Sequence, residues 1–235
     1  MAQNKLLIIL ITIISVIAII SYLASPVFKL RDIEINDLQY ISQADIKNEL
    51  APCIDENIWL LTRGTIAKKL LKNKYMKAVK IKKKYPDTLQ INIVERTPVV
   101  KINNNGKYTV VTADGFILEE GAMNTSCKVP LIVGTAYSFS DTKLQFPDKI
   151  DEIVQALEKI DKNSRTNINK IIIKDNNKLD LMLSSNIEVF MGNLEEIERK
   201  FEVYSSIYRK ISGENITIDY IDLRVVDKPV ICRKK

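Results

Sequence analysis

The 235-residue chain contains no histidine. The side chain that most often serves as general base near neutral pH, and most often ligates metals, is therefore missing. Cysteine is scarce: Cys53, Cys127 and Cys232 are far apart and odd in number. That spacing excludes a CxxC or zinc pattern and argues against a disulfide framework. GxSxG, HExxH, P-loop and GxGxxG motifs are all absent. No catalytic, cofactor-binding or metal-ligating residue is expected. Glu119-Glu120 and Glu195-Glu196 are adjacent carboxylates, which diverge on a strand or helix and read as solvated surface. Asp114-Gly115 reads as a turn. Aromatic residues make up only 7% of the chain. Tyr85 alone lies near the lysines of Lys80–Lys84, so the interleaved rings and charges of a nucleic-acid surface are missing. Those lysines suit a solvated strand edge instead. The Asn124-Thr-Ser and Asn215-Ile-Thr triplets match glycosylation acceptors at a rate expected by chance.

What is present is a chain that folds. Hydrophobic residues make up 46% and charged residues 27%, which is not a disordered composition. The net charge of +6 would suit an acidic partner, and a basic Asn- and Ile-rich composition carries the same charge without one. Leu6–Ala24 is an uncharged apolar run. Its nineteen residues would span roughly 28 Å as a helix, about a hydrocarbon thickness. A cleaved signal peptide has a shorter apolar core and a better cleavage site than Tyr22-Leu23-Ala24. A retained single-pass transmembrane helix is therefore expected over residues 6–24, after a tail of residues 1–5. Lys29 and Arg31 follow the run, so the charge count alone leans against a cytoplasmic N-terminus.

Residues 26–96 read as a small β-α-α-β-β domain. Phe28-Lys-Leu30 and Ile33-Glu-Ile35 alternate out of phase, which suggests one strand with a bulge near Arg31-Asp32. Asn36-Asp37 is a turn. Ser42-Gln-Ala-Asp45 opens a helix with Ile46 and Leu50 on one face, and Pro52 closes it. Ile58–Leu61 reads as an apolar plug. Thr62 or Thr65 caps a second helix, with Ile66, Ala67, Leu70 and Leu71 inward. Val79 and Ile81 alternate with lysines before the turn at Tyr85-Pro-Asp-Thr88. Leu89, Ile91 and Ile93 alternate after it, so the two runs form a hairpin. The expected core is Leu30, Ile35, Ile46, Leu70, Val79, Ile81, Ile91 and Ile93.

Residues 97–227 read as a second, mixed β domain. Strands are expected at Val99–Ile102, Tyr108–Val111, Phe116–Leu118, Ile171–Ile173, Leu179–Leu183 and Ile187–Met191, with a short apolar run at Val129–Gly134. One helix follows Pro147, with Ile150, Ile153, Val154, Leu157 and Ile160 on its stripe. Another runs from Leu194 to Ile211. A last strand spans Ile216 to Val226, with Ile221, Leu223 and Val225 on one side and Asp222 and Arg224 on the other. Residues 228–235 form a loose basic tail.

Five motifs occur in order behind the apolar run: Tyr85-Pro-Asp-Thr-Leu-Gln-Ile, Val94-Glu-Arg-Thr-Pro98-Val99, Asp114-Gly-Phe-Ile-Leu118, Val129–Gly134 and Tyr220-Ile-Asp-Leu-Arg224. Together they resemble the FtsQ/DivIB family of bacterial cell-division proteins. The resemblance implies an α+β chain of one transmembrane helix, a POTRA domain and a β domain outside the cytoplasmic membrane, at the division septum. It also implies a non-enzymatic divisome scaffold for septal cell-wall synthesis. FtsB-like and FtsL-like coiled-coil proteins are its implied partners, with no cofactor, nucleic acid or small-molecule substrate. The family's partner edge falls on Arg224, Val225, Val226, Asp227 and Lys228. Where an aromatic often follows the family's arginine, this chain has Val225; strand addition needs no particular side chain. The edge is also expected from Pro229, which cannot donate to a ladder. Arg224 either faces an acidic partner residue or pairs internally with Asp222 or a neighbouring strand. The competing function is a membrane-anchored extracytoplasmic enzyme of a carboxylate-only class.

Overall fold

The computed structural model describes residues 2–125, 127–140, 142–174, 178–213 and 217–234. The chain divides into two compact units, residues 1–96 and 97–235. Ser126, Asn215 and Ile216 lie outside the described residues, and so therefore do part of each glycosylation triplet and the expected start of the last strand.

In the first unit, helix α1 runs over Ala2–Leu23. Among the described residues, no helix is long and apolar enough to cross a membrane. That overturns the expected transmembrane helix at residues 6–24, and with it the expected single-pass placement in the cytoplasmic membrane. The physical reason lies at the end of α1. Leu23 packs against the core of the unit, and its carbonyl accepts a 2.7 Å hydrogen bond from Asn57 Nδ2. The Tyr22 ring stands edge-on to Phe28 at 5.3 Å. The last turn thus belongs to the folded unit. Leu7 to Tyr22, the exposed stretch before Leu23, covers only ~24 Å of helix, against roughly 30 Å of hydrocarbon.

The remainder is α+β. Strand β1 (Asp32–Ile35) lies parallel to β3 (Thr88–Glu95), which pairs antiparallel with β2 (Met76–Lys84), so β3 is central. Helices α2 (Gln43–Leu50) and α3 (Arg63–Leu70) contribute Ile46, Leu50, Ile66 and Leu70 to the same core as Leu30, Ile81, Leu89, Ile91 and Ile93. Ser42 caps α2 by accepting from the Ala44 N–H at 3.2 Å, as its position before the apolar face requires. The expected bulge in the first strand is instead a 3-10 turn at Pro26–Phe28 followed by the short β1. Trp59 and Leu60 are exposed, so the expected plug reduces to Ile58 with half-buried Leu61. Leu71 is also exposed, and Ile35 and Val79 are only half-buried. Asn36 extends the β1–β3 pairing with its side chain: Oδ1 accepts from Ile93 N–H at 2.7 Å and Nδ2 donates to Ile93 O at 3.2 Å. Glu95 receives the N–H groups of Gln39, Tyr40 and Ile41 at 2.6–2.9 Å, which fastens the next loop.

The second unit is one mixed nine-stranded sheet. Its strands are β4 (Val100–Asn104), β5 (Lys107–Val111), β6 (Ile117–Ala122), β7 (Leu131–Val133), β10 (Ile168–Lys174), β11 (Lys178–Leu183), β12 (Glu188–Asn193), β13 (Ile218–Asp222) and β14 (Val230–Arg233). They lie in the order β14-β13-β12-β11-β10-β7-β4-β5-β6. A small hairpin, β8 (Ser138–Ser140) and β9 (Lys143–Gln145), forms a separate sheet bridged to Phe116 through Lys143. Helix α4 (Asp148–Lys159) buries the stripe Ile150, Ile153, Val154 and Leu157, with Ile160 just after it. Helix α6 (Ile197–Ile211) buries Ile197, Phe201 and Tyr204 in the same core. A short α5 (Lys162–Asn167), unexpected from the sequence, joins α4 to β10. Its cap is Asp161, whose carboxylate accepts from Ser164 N–H at 3.0 Å and from the Ser164 and Ser205 hydroxyls at 2.6 Å. Those bonds outweigh partial burial and bring its pKa down to about 2.

Two expectations at the C-terminus need correction. The last expected strand ends at Asp222, not Val226, and the loose tail is the edge strand β14. The chain turns at residues 223–229, and β14 then runs antiparallel to β13, pairing Asp222 with Val230 and Ile221 with Ile231.

Candidate partner-binding edge

Edge strand β14 pairs with β13 on one side and ends the sheet on the other. Its sequence, Val-Ile-Cys-Arg, is rich in β-branched residues and starts after a proline, both permitted at an edge. Val230 and Ile231 stay exposed. An edge carries N–H and C=O groups that an added strand can satisfy.

The turn between β13 and β14 is held from both sides. Asp222 Oδ1 accepts from Arg224 N–H and from Arg224 Nε, both at 3.0 Å, and Oδ2 takes Nε and Nη2. This bonding holds the Asp222 carboxyl below the usual range, against its partial burial. The Arg224 guanidinium also lies 6.0 Å from the Phe190 ring centroid. Leu223 N–H donates to Phe190 O at 2.8 Å, and Lys228 N–H donates to Val225 O at 3.0 Å, closing the turn. Gly192, at φ +74°, makes room for it: a Cβ there would stand 3.0 Å from Arg224 Cγ. On the other side Arg199 of α6 bonds Asp227, and Arg199 Nη1 donates to Glu196 at 3.1 Å.

The five residues singled out from sequence therefore differ in what they can offer. Arg224 is internally engaged with Asp222, as the second of its two expected roles described. Val225 is 61% exposed while Val226 is buried, the reverse of strand alternation, because the chain has already left the sheet. Asp227 is engaged with Arg199, and Lys228 is exposed. Sequence reasoning missed Val230 and Ile231. Their β-branched pair directly after Pro229 was the available signal, masked by the basic residues that follow. Among the described residues, no cluster of three or more Cys, Asp and Glu could hold a metal ion. Among the described residues, Cys53, Cys127 and Cys232 form no disulfide.

Comparison with known proteins adds a family. Residues 28–96 match the family model described as POTRA domain, FtsQ-type, and residues 100–224 match that of Cell division protein FtsQ/DivIB, C-terminal. Cell division protein DivIB of Staphylococcus aureus is 26% identical over 212 residues, covering 87% of this chain and 46% of that protein. The chain thus spans about half the length of the staphylococcal relatives it matches. Cell division protein DivIB of Clostridium botulinum is 23% identical over 236 residues, covering 99% of this chain and 92% of that protein. A solved structure of the major extracytoplasmic domain of DivIB from Geobacillus stearothermophilus aligns at TM-score 0.38 and 16% identity, covering 52% of this chain and 98% of that one. The second match alone spans more than half of the chain, and the first accounts for the β-α-α-β-β unit before it: the chain belongs to the FtsQ/DivIB family of bacterial cell-division proteins, whose members are non-catalytic scaffolds.

Proposed function

We propose that this chain is a binding scaffold of the bacterial division machinery and that strand β14, with the turn before it, is where a partner docks. Family membership implies, in general terms, interaction with other membrane proteins of the divisome. FtsB-like and FtsL-like proteins are the partners this reading assigns. The observation that carries it is the sheet order: β14 is a terminal strand, exposed at Val230 and Ile231 and preceded by a turn fixed at Asp222 and Asp227. A partner segment added there gains backbone hydrogen bonds without requiring the aromatic that Val225 replaces. Arg224 supports the edge from within by bonding Asp222.

Co-purification of the full chain with the FtsB-like and FtsL-like proteins of the same genome tests the proposal. Successive N–H groups of a strand point to opposite sides, so Val230→Pro and Ile231→Pro differ: one removes an outward donor, the other a bond to β13. The variant that keeps its melting temperature should lose the partners. Partners retained by that variant would take β14 out of the interface.

A further inference from the structure

We infer that a small pocket beside the β13–β14 turn receives one carboxylate side chain, Asp or Glu, from the segment that docks on β14. This rests on the partner-edge reading above and assigns the chemistry of one of its contacts.

The pocket encloses about 170 Å³ between the end of β12, the start of α6 and the turn. Its innermost charge is Lys200, which is 2% exposed. The ammonium donates to Asn193 O at 2.8 Å and Asn193 Oδ1 at 2.9 Å. An ammonium has three donors, and among the described residues no carboxylate stands within ion-pair distance of this one. A buried cation without a counter-ion is costly. Burial accordingly lowers the pKa of Lys200, opposed by the more distant Glu195 and Glu196.

The other charges around the pocket are already matched. Glu195 accepts from Asn193 Nδ2 at 2.7 Å, Arg199 bridges Glu196 and Asp227, and Arg224 holds Asp222. Glu196, the N-cap residue of α6, borders the same space; it has φ 50° and makes no side-chain cap. Repulsion from Glu195, Glu196 and Asp227 disfavours a multiply charged ligand such as phosphate. A single carboxylate satisfies the Lys200 donor by a charge-assisted hydrogen bond, and a desolvated pair of this kind selects among partner segments.

The test uses overlapping peptides tiling the FtsB-like and FtsL-like proteins of the same genome. Each is made as encoded and with every Asp and Glu replaced by Asn and Gln. Binding is measured to the full chain, to Lys200→Met, and to whichever of Val230→Pro and Ile231→Pro keeps its melting temperature. The expected result is a peptide that binds the wild type, loses binding to the proline variant, and weakens at least tenfold both on amide replacement and on Lys200→Met; unchanged affinity for a folded Lys200→Met overturns the pocket. Amide replacement should then have little further effect in Lys200→Met. Loss on the proline variant with affinity within twofold for the amide peptide overturns the pocket and leaves the edge standing. Binding that survives the proline variant, or no binding by any peptide, overturns both. If Lys200→Met fails to fold, the paired peptides on the wild type decide the matter alone.

Discussion

Ile91→Ala would remove three side-chain carbons from the centre of the first unit. Ile91 sits on central strand β3, opposite Ile35 of β1 and Ile81 of β2, and is 0% exposed. Both neighbouring strands and both helices contribute to the core around it, so the cavity cannot collapse by moving one element. Such truncations cost about 2–5 kcal/mol, and the closed surroundings favour the middle of that range, ~3 kcal/mol. A unit of about seventy residues holds only some 4–10 kcal/mol in total at the usual ~0.05–0.15 per residue. With an m-value near 1 kcal/mol per molar of urea, the midpoint should fall by roughly 2–3 M. The chain has one tryptophan, Trp59, and it lies in this unit, stacked on Tyr85 at 4.2 Å. Its fluorescence therefore follows the unfolding of this unit. A midpoint within about 0.3 M of wild type would refute the placement of Ile91 at the centre of the core.

Asp161→Ala should cost about 1 kcal/mol at pH 7, as loss of an N-cap does. Its folded-state pKa lies below its unfolded value, so the stability it lends is complete above about pH 4 and disappears as pH falls through about 2. Thermal melts of variant and wild type should converge over that window; a constant gap would contradict the capping role. Gly134→Ala places a Cβ 2.1 Å from Ile173 O at φ +83°. It should destabilise the second unit by more than the ~1–3 kcal/mol of backbone strain alone, and an unchanged melting temperature would show that the β7–β10 contact is loose. Arg224→Glu sets a second carboxylate beside Asp222, and hydrogen exchange should speed up in residues 230–233 and little elsewhere. Because Arg224 is exposed, the global melting temperature should change little.

What the sequence made legible was set by periodicity. The hairpin β2–β3 and the α4 stripe from Ile150 to Ile160 repeat at their element's period, and both pack as read except at half-buried Val79. Elements without a period were missed. Strands β8 and β9 have three residues each, too few to alternate visibly. Helix α5 has no apolar stripe, and Asp161 fixes it through hydroxyl partners as far away as Ser205. The candidate edge failed for a subtler reason. Leu223, Val225 and Val226 continue an apolar pattern past the point where Asp222 and Arg224 bend the chain. Periodicity therefore overran the strand and pushed β14 into the tail. The apolar run at residues 6–24 misled in the same way: composition registers length, but not that Tyr22 and Leu23 are held by Phe28 and Asn57.

The most direct measurement is hydrogen exchange on the full chain, alone and saturated with the FtsB-like protein of its own genome. Docking on the edge should slow exchange of the outward-facing amides within residues 230–233, with a smaller effect in the 223–228 turn, and leave the opposite edge at β6 unchanged. Saturation that slows exchange elsewhere and leaves β14 as it was would contradict strand addition at this edge.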